Sequence, residues 1–169
     1  MYEATQATQK RYVVDTSVVI KWFSQIDEDN VDVALRLQDM HLKKQALLIA
    51  PDLLFYEVLN ALRYNANLTD EDLAAAVASL TKMDFDVYLP GPELMNQAVK
   101  LARLHNATVY DASYVALAQE LGCLCVMADE KLYRKFEGFP YIIPIRELSI
   151  TRGKGENDDG GEEKPHSKT

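Results

Sequence analysis

Short, mostly apolar segments alternate along the chain with longer stretches of helical periodicity, and this alternation limits the possible folds most strongly. The short segments are apolar on both faces, which is typical of strands in a parallel sheet that is covered on both sides. Chains of this kind form layered α/β domains with right-handed crossovers. The pattern predicts a three-layer α/β/α fold with a short, mainly parallel central sheet. We expect strands at 11–14, 47–50, 86–88, 124–127 and 141–143, and helices at 17–24, 30–44, 52–65, 70–83, 93–105, 110–121 and 130–136.

The length of 169 residues suits one domain with a proper core. Residues 11–148 carry all the hydrophobic periodicity and form the predicted domain. Residues 1–10 are polar and are predicted to be a flexible lead-in. Residues 149–169 are predicted to be a disordered tail, because the chain has no apolar residue from Thr151 onward. No segment approaches the roughly 20 apolar residues of a membrane span, and no secretion signal precedes the domain, so we expect a cytoplasmic protein.

The two cysteines favour a reducing environment. Cys123 and Cys125 lie one residue apart in a predicted strand. They are poorly placed to bridge each other, which favours a reduced, intracellular protein. Zinc binding is disfavoured, because no second Cys/His pair accompanies them.

Four acidic residues fall where a catalytic site of such a fold is expected. Sites in open α/β sheets form at the carboxyl ends of the strands. Asp15 ends the first predicted strand, and Asp129 follows the fourth with one alanine between. Asp111 lies in the first turn of its helix, where the helix dipole favours an anion. Glu57 interrupts an otherwise apolar helix. We therefore expect the four carboxylates to converge at one edge of the sheet.

Each acid also has a simpler explanation when it is taken alone. Asp15, Asp111 and Asp129 are in positions where an aspartate commonly ends a turn or caps a helix. Glu57 has a salt bridge to Arg63 or Arg103 as its alternative. Four converging carboxylates, however, repel one another unless a cation lies between them. Because the ligands are oxygens without histidine or cysteine, the hypothesis is a site for Mg²⁺ or Mn²⁺.

Four blocks of sequence carry a resemblance to a known family. They read VVDTSVVIKWF, PDLLFYEVLNALR, VYDASYVALAQELGC and VMADEKLYRKF, and they span about residues 11–145. In this order and spacing they resemble the PIN-domain ribonucleases, and among these the single-domain VapC-type toxins of toxin–antitoxin pairs. The resemblance implies that the catalytic, metal-binding residues are Asp15, Glu57, Asp111 and Asp129, supported by Thr16, Ser17 and Asn60. In one departure Met127 stands where the family often has a hydroxyl residue, which puts a second metal ion in doubt.

By the same resemblance the chain is a metal-dependent endoribonuclease that leaves a 5′-phosphate and a 3′-hydroxyl. Its implied partners are an RNA substrate and a small antitoxin protein. Apolar residues of the predicted helices 52–65 and 70–83 could dock the antitoxin or form a homodimer face, with core packing as an equal alternative. The net charge of −8 does not suit general nucleic-acid binding. Phosphate contacts are expected from Lys131, Arg134 and Lys135, for which a solvated helix surface is an equal alternative.

Other functions remain open at this point. A housekeeping RNA-processing nuclease shares the chemistry, and a small antitoxin gene directly upstream would distinguish the toxin from it. A PIN-like binding module without catalysis would be expected to lack the four acids. A haloacid-dehalogenase-type phosphatase requires an aspartate two residues after Asp15, where Ser17 stands. Nucleotide-cofactor binding requires a glycine-rich strand–helix turn, and the glycines of the predicted domain are isolated.

Overall fold

The computed structural model describes residues 9–24 and 28–149. Most of the predicted lead-in and all but the first residue of the predicted tail lie outside these ranges, as do residues 25–27.

The centre of the molecule is a five-stranded sheet in which every neighbouring pair is parallel. The strand order is β3-β2-β1-β4-β5, so β1 lies in the middle. Tyr12 on β1 is level with Leu48 on β2 and with Leu124 on β4. The strands are β1 (Lys10–Val14), β2 (Ala46–Pro51), β3 (Asp86–Tyr88), β4 (Leu124–Met127) and β5 (Ile142–Pro144).

Within the described part of the chain, seven α-helices cover the sheet, which confirms the predicted three-layer α/β/α architecture. The chain builds β1 to β3 in one direction and then returns to β4 and β5, so right-handed crossovers place α1–α4 on one face and α5–α7 on the other. On the second face α6 packs against β1, β2 and β4, with α5 packed on α6. The helices are α1 (Thr16–Val19), α2 (Val31–Leu42), α3 (Leu53–Leu62), α4 (Asp70–Lys82), α5 (Pro92–His105), α6 (Val109–Leu121) and α7 (Glu130–Lys135).

The core lies on both faces of the sheet. Val13 and Val14 of β1 and Val126 of β4 are fully buried, as continuous apolar strands require. α6 is the central helix of its layer, with its residues from Ala112 to Ala118 all buried. Across the described residues, no helix has the length and apolar character needed to cross a membrane.

Local sequence signals set two of the helix ends. Thr69 caps α4 and forms a reciprocal capping box with Asp72. Gly122 ends α6 in the left-handed conformation at φ 62°, which glycine adopts without a steric penalty.

The predicted helix at 17–24 differs most from the structure. It is a single α turn, α1, followed by a 3₁₀ turn at Ile20–Trp22. Three consecutive β-branched residues, Val18 to Ile20, disfavour a longer α-helix here. Tertiary contacts hold the tighter turn, since the Trp22 indole donates to the carbonyl of Ala34 at 2.9 Å and the buried Lys21 pairs with Glu28.

The two cysteines lie in the middle of the sheet. Both are free thiols, Cys125 buried and Cys123 half-buried. Burial raises the pKa of each thiol, so neither has the stabilised thiolate of a reactive cysteine.

Candidate active site

Asp15 ends β1 as a buried carboxylate that is only 3% exposed. Its backbone N–H continues the sheet by donating to the carbonyl of Val126 at 3.1 Å. Its Oδ2 caps α1 by accepting from the backbone N–H of Ser17 at 2.9 Å. The same oxygen also accepts from the Ser17 hydroxyl. Burial raises the pKa of Asp15 to about 6; the bonds from Ser17 oppose this, and the negative charges of Glu57 and Asp111 add to it. These charges act on Asp15 because the three carboxylates converge.

Ser17 joins the ends of two neighbouring strands. Its hydroxyl donates to Asp15 and accepts from the backbone N–H groups of Ala128 at 2.9 Å and Asp129 at 3.2 Å. The residues after β4 are therefore tied to the end of β1. This single hydroxyl sets the position of Asp129 relative to Asp15.

Asp129 is an exposed residue at the start of α7. Its Oδ1 caps the helix by accepting from the N–H groups of Lys131 at 2.8 Å and Leu132 at 3.0 Å. The capping role that the sequence offered as an alternative is thus present. It occupies only one of the two carboxylate oxygens.

Glu57 is held by two hydroxyl groups rather than by an arginine. Its Oε2 accepts from the Thr16 hydroxyl at 2.8 Å and from the Tyr114 hydroxyl at 2.5 Å, and the two hydroxyls are 2.8 Å apart. The salt-bridge alternative with Arg63 is not what the structure shows, since the guanidinium of Arg63 donates to Asn60 and stacks on Tyr64. This network joins the two helical layers beside the candidate site, because its members Thr16, Glu57 and Tyr114 come from α1, α3 and α6.

Asp111 lies in the first turn of α6, but Thr108 provides the helix cap. The Thr108 hydroxyl accepts from the backbone N–H of Asp111 at 3.0 Å. The carboxylate of Asp111 is therefore not needed to cap the helix. It lies three residues before Tyr114, on the same side of α6.

Tyr114 is the site residue that sequence reasoning missed. It is 1% exposed, and burial together with the charge of Glu57 raises its pKa, so the phenol remains a proton donor. A signal was available in the sequence. A tyrosine within a run of small apolar residues needs a partner for its hydroxyl, and this one follows Asp111 by three positions.

Of the supporting residues predicted from the sequence, two contact the carboxylates and one does not. Thr16 and Ser17 contact the carboxylates of Glu57 and Asp15. Asn60 is exposed, and its amide oxygen accepts from Arg63 at 2.8 Å. The α7 cations are all exposed and form no ion pair with a described carboxylate; they are Lys131, Arg134 and Lys135.

The carboxylates that hold hydrogen bonds share one arrangement that fits a cation site. In Asp15, Glu57 and Asp129, one oxygen takes two hydrogen bonds while the other oxygen accepts none from the described residues. Such bonds orient a carboxylate toward a metal ion. The donors are oxygens only, which suits Mg²⁺ or Mn²⁺. As positioned, no three carboxylate, histidine or cysteine groups within 9–24 and 28–149 lie close enough to hold one ion together.

Comparison with known proteins gives the family of this fold and site. A family model described as the PIN domain matches residues 12–137, which include all four acids. The chain belongs to the PIN-domain family.

Similarity to individual PIN proteins is moderate. The chain is 35% identical over 94 residues to "Ribonuclease VapC1" of Mycobacterium tuberculosis, a match that covers 54% of this chain and 69% of that protein. It is 46% identical over 44 residues to "Ribonuclease VapC3" of Pyrobaculum aerophilum, where the match covers 26% of this chain and 34% of that protein.

Solved PIN structures share the fold over most of the chain. The crystal structure of PAE2754 from Pyrobaculum aerophilum superposes with a TM-score of 0.56 at 27% identity, covering 81% of this chain and 92% of that one. A toxin–antitoxin complex from Klebsiella pneumoniae contains a chain with a TM-score of 0.54 at 16% identity, covering 82% and 99%. At this last identity the likeness concerns the fold alone.

Proposed function

We propose that this PIN domain is a metal-dependent endoribonuclease and the toxin of a toxin–antitoxin pair. The observation that carries the proposal is the orientation of the carboxylates of Asp15, Glu57 and Asp129, each engaged on one oxygen and available on the other. The relatives named as ribonucleases and the toxin–antitoxin structure of the same fold support it.

In this proposal Asp15, Glu57, Asp111 and Asp129 hold Mg²⁺ or Mn²⁺. When bound there, such an ion would supply Lewis-acid chemistry: it would lower the pKa of a coordinated water and neutralise charge that develops on the scissile phosphate. Ser17 fixes Asp15, and Thr16 and Tyr114 fix Glu57, so each of these two carboxylates is held in one orientation.

Of the four acids, Asp129 is suited to proton transfer. It is exposed and its Oδ2 accepts no hydrogen bond from the described residues, so it can take a proton from the attacking water. Attack on the phosphorus with departure of the 3′ oxygen leaves a 5′-phosphate and a 3′-hydroxyl. The cations of α7 begin two residues after Asp129, and Lys131 and Arg134 are proposed to bind the phosphates beside the cleavage site.

The decisive experiment is incubation of the purified protein with total cellular RNA and Mg²⁺ or Mn²⁺, followed by mapping of the new 5′ ends. We expect the wild type to cut a few defined sites and Asp15→Asn to lose at least about a hundredfold in rate, the upper range for loss of metal-orienting contacts. Asp70→Asn on exposed α4 makes the same change of charge away from the pocket and should cut as the wild type does. Equal cutting by wild type and Asp15→Asn would reject the assignment.

An antitoxin is the proposed regulatory partner. An arginine of such a protein could pair with the same carboxylates that hold the ion and so compete with it. Co-expression with the neighbouring small reading frame should yield a complex that purifies together and does not cleave RNA. If the two chains purify separately and mixing leaves cleavage unchanged, this part of the proposal is wrong, and a housekeeping role in RNA processing becomes the better explanation.

A homodimer is proposed through α3 and α4. Tyr64 on the turn after α3 and Val77 on α4 are 71% and 42% exposed, and we propose that they form part of the dimer face. Sedimentation should give the mass of two chains, and Tyr64→Ala with Val77→Ser should shift the protein toward the monomer. A wild-type protein that stays monomeric at high concentration contradicts this.

A further inference from the structure

A cleft opens one helical turn from the contact between Glu57 and Tyr114. Leu53 precedes Glu57 by four residues on α3, and Tyr110 precedes Tyr114 by four residues on α6. Each therefore lies about 5.4 Å nearer the start of its helix on nearly the same face. The cleft between Leu53 and Tyr110 has a volume of about 190 Å³. The cleft therefore lies about one helical turn from Glu57, one of the four acids of the candidate site.

The walls of the cleft are apolar, with one aromatic ring at the mouth. Pro51, Pro90, Leu94 and Met95 provide flat and flexible apolar surface from the ends of β2 and β3 and the start of α5. Tyr110 lines the cleft while 66% of it is exposed. An exposed ring beside an apolar wall can stack on the face of a planar ligand.

Among the described side chains that line the cleft, the Asp52 carboxylate is the polar group available to a ligand. Ser113 also lines it, but its hydroxyl donates to the carbonyl of Val109 at 2.7 Å. Asp52 stands at the N-cap position of α3, yet its side chain makes no capping bond; its backbone N–H donates to the carbonyl of Tyr88 at 3.0 Å. No hydrogen bond from the described residues reaches the Asp52 carboxylate. An acceptor that does not cap its own helix is available to a ligand.

A planar ligand with apolar faces and hydrogen-bond donors on one edge fits this arrangement. Unpaired RNA bases are recognised in this way, by stacking on aromatic rings and by hydrogen bonds to their edges. Guanine is the base whose pairing edge carries two adjacent donors, N1–H and N2–H, and a carboxylate can accept both at once. Paired bonds to a charged group are stronger and more selective than a single bond. The volume is below the range of pockets for drug-sized molecules and suits one base.

We propose that this cleft is a subsite for a guanine base of the RNA, read by Asp52 and stacked on Tyr110. The position one helical turn from Glu57 assigns the base to a nucleotide next to the cleaved bond. The placement of this base next to the cleaved bond rests on the ribonuclease function proposed above. The binding of guanine does not depend on that function, so guanine binding and RNA cleavage can be tested separately.

The first test measures binding without cleavage. Asp15→Asn protein is titrated with GMP, AMP, CMP and UMP in the presence of diamagnetic Mg²⁺ and followed by NMR. GMP should bind about tenfold or more tightly than the other three, the ratio that a good bidentate contact gives. Asp52→Ala should remove this preference, and Asp70→Asn should retain it. Tyr110→Ala should weaken all four nucleotides, whereas Tyr110→Phe should bind them as well as the parent protein.

The second test measures cleavage of short unstructured RNAs that differ only in the position of one guanine. The wild type should cut at a fixed distance from that guanine, and Asp52→Ala should lose the position dependence. Equal binding of the four nucleotides, or a guanine preference that survives Asp52→Ala, overturns the subsite. A Tyr110→Ala protein that loses dimer mass and keeps its base preference also overturns it, since a second copy then covers the cleft. GMP selectivity through Asp52 without any Asp15-dependent cleavage supports the subsite and rejects the ribonuclease.

Discussion

The acidic pocket has a buried half and an open half, and they are held by different means. Asp15 and Glu57 are fixed mainly by side-chain hydroxyls, from Ser17, Thr16 and Tyr114. Asp129 is exposed and fixed by backbone N–H groups of its own helix. In the buried half, Glu57 depends on contacts from segments far apart in the chain, whereas Asp15 is held by Ser17, two positions away. The open half needs only the start of one helix.

This difference sets where the energetic cost of the site lies. A carboxylate that leaves water must be compensated, and Asp15 is compensated incompletely because the charges of Glu57 and Asp111 oppose its ionisation. An exposed helix cap carries little such cost. Substitutions that remove charge should therefore have large effects in the buried half and small effects in the open half.

The largest stability effect is expected from the pH dependence of Asp15 in the absence of metal. Its pKa is about 6 in the folded chain against an ordinary 3.8. A raised carboxyl pKa means that folding is undisturbed below pH 4 and that stability is lost as pH rises from 4 to 6. The loss is on the order of 3 kcal/mol. Asp15→Asn keeps an oxygen that can cap α1, so in EDTA at pH 8 it should be more stable than the wild type to urea, with the difference vanishing near pH 4.

Asp129→Asn is the matched change in the open half. Asparagine caps a helix as well as aspartate, so stability should change by less than about 0.5 kcal/mol at either pH. An Asp15→Asn protein that is strongly destabilised at pH 8 would show that the carboxylate is chiefly a structural cap.

Added metal should offset the unfavourable free energy of ionising Asp15 in the buried half of the site, and so stabilise the folded protein. A divalent ion that binds only the folded chain adds about 2.7 kcal/mol at a hundredfold excess over its Kd. At roughly 2–4 °C per kcal/mol, saturating Mn²⁺ should raise the wild-type melting temperature by several degrees. Asp15→Asn and Asp111→Asn should respond much less, and Glu57→Gln should fall between. A full shift in Asp15→Asn would place the ion elsewhere.

Tyr114→Phe removes a single hydroxyl and tests how much it contributes to the buried half of the site. It removes a donor from the half-buried Glu57 while Thr16 remains, and we expect a loss of about 1–2 kcal/mol in unfolding free energy. Mn²⁺ affinity should fall roughly 10–100-fold, because the tyrosine no longer orients a ligand. Tyr110→Phe, one turn away and exposed, should change stability by less than about 0.5 kcal/mol. Equal effects at the two tyrosines would show that the Tyr114 hydroxyl does not support the site.

The smallest effect is expected at the cations of the open half. Lys131→Ala should weaken binding of single-stranded RNA only a few-fold and should reduce the slope of log K against log salt by about 0.7, as one lost phosphate contact predicts. Lys44→Ala is the control, since Lys44 pairs with Asp84 at 2.9 Å and lies on the loop before β2. An unchanged salt slope in Lys131→Ala would leave the residue on a solvated surface.

The amino-acid sequence by itself determined the layered fold and the four acids. Strand and helix periodicity depend on nearest neighbours along the chain, so the sheet, the capping box at Thr69 and the end of α6 at Gly122 followed from local rules. The four blocks with Asp15, Glu57, Asp111 and Asp129 were readable for the same reason. Bounds were less exact where tertiary contacts compete, as in the 3₁₀ turn at Ile20–Trp22.

Only the tertiary structure decided how those acids are held. The bond from Tyr114 to Glu57 spans 57 residues and those from Ala128 and Asp129 to Ser17 span more than 100, distances over which no periodicity in the sequence carries information. The same holds for the cleft, whose walls come from β2, the segment after β3, and the starts of α3, α5 and α6. Local propensity acts over a few residues, whereas the orientation of a buried carboxylate depends on which hydroxyls the packed layers bring to it. That is why the sequence can nominate the four acids as candidates but cannot predict how each one is held.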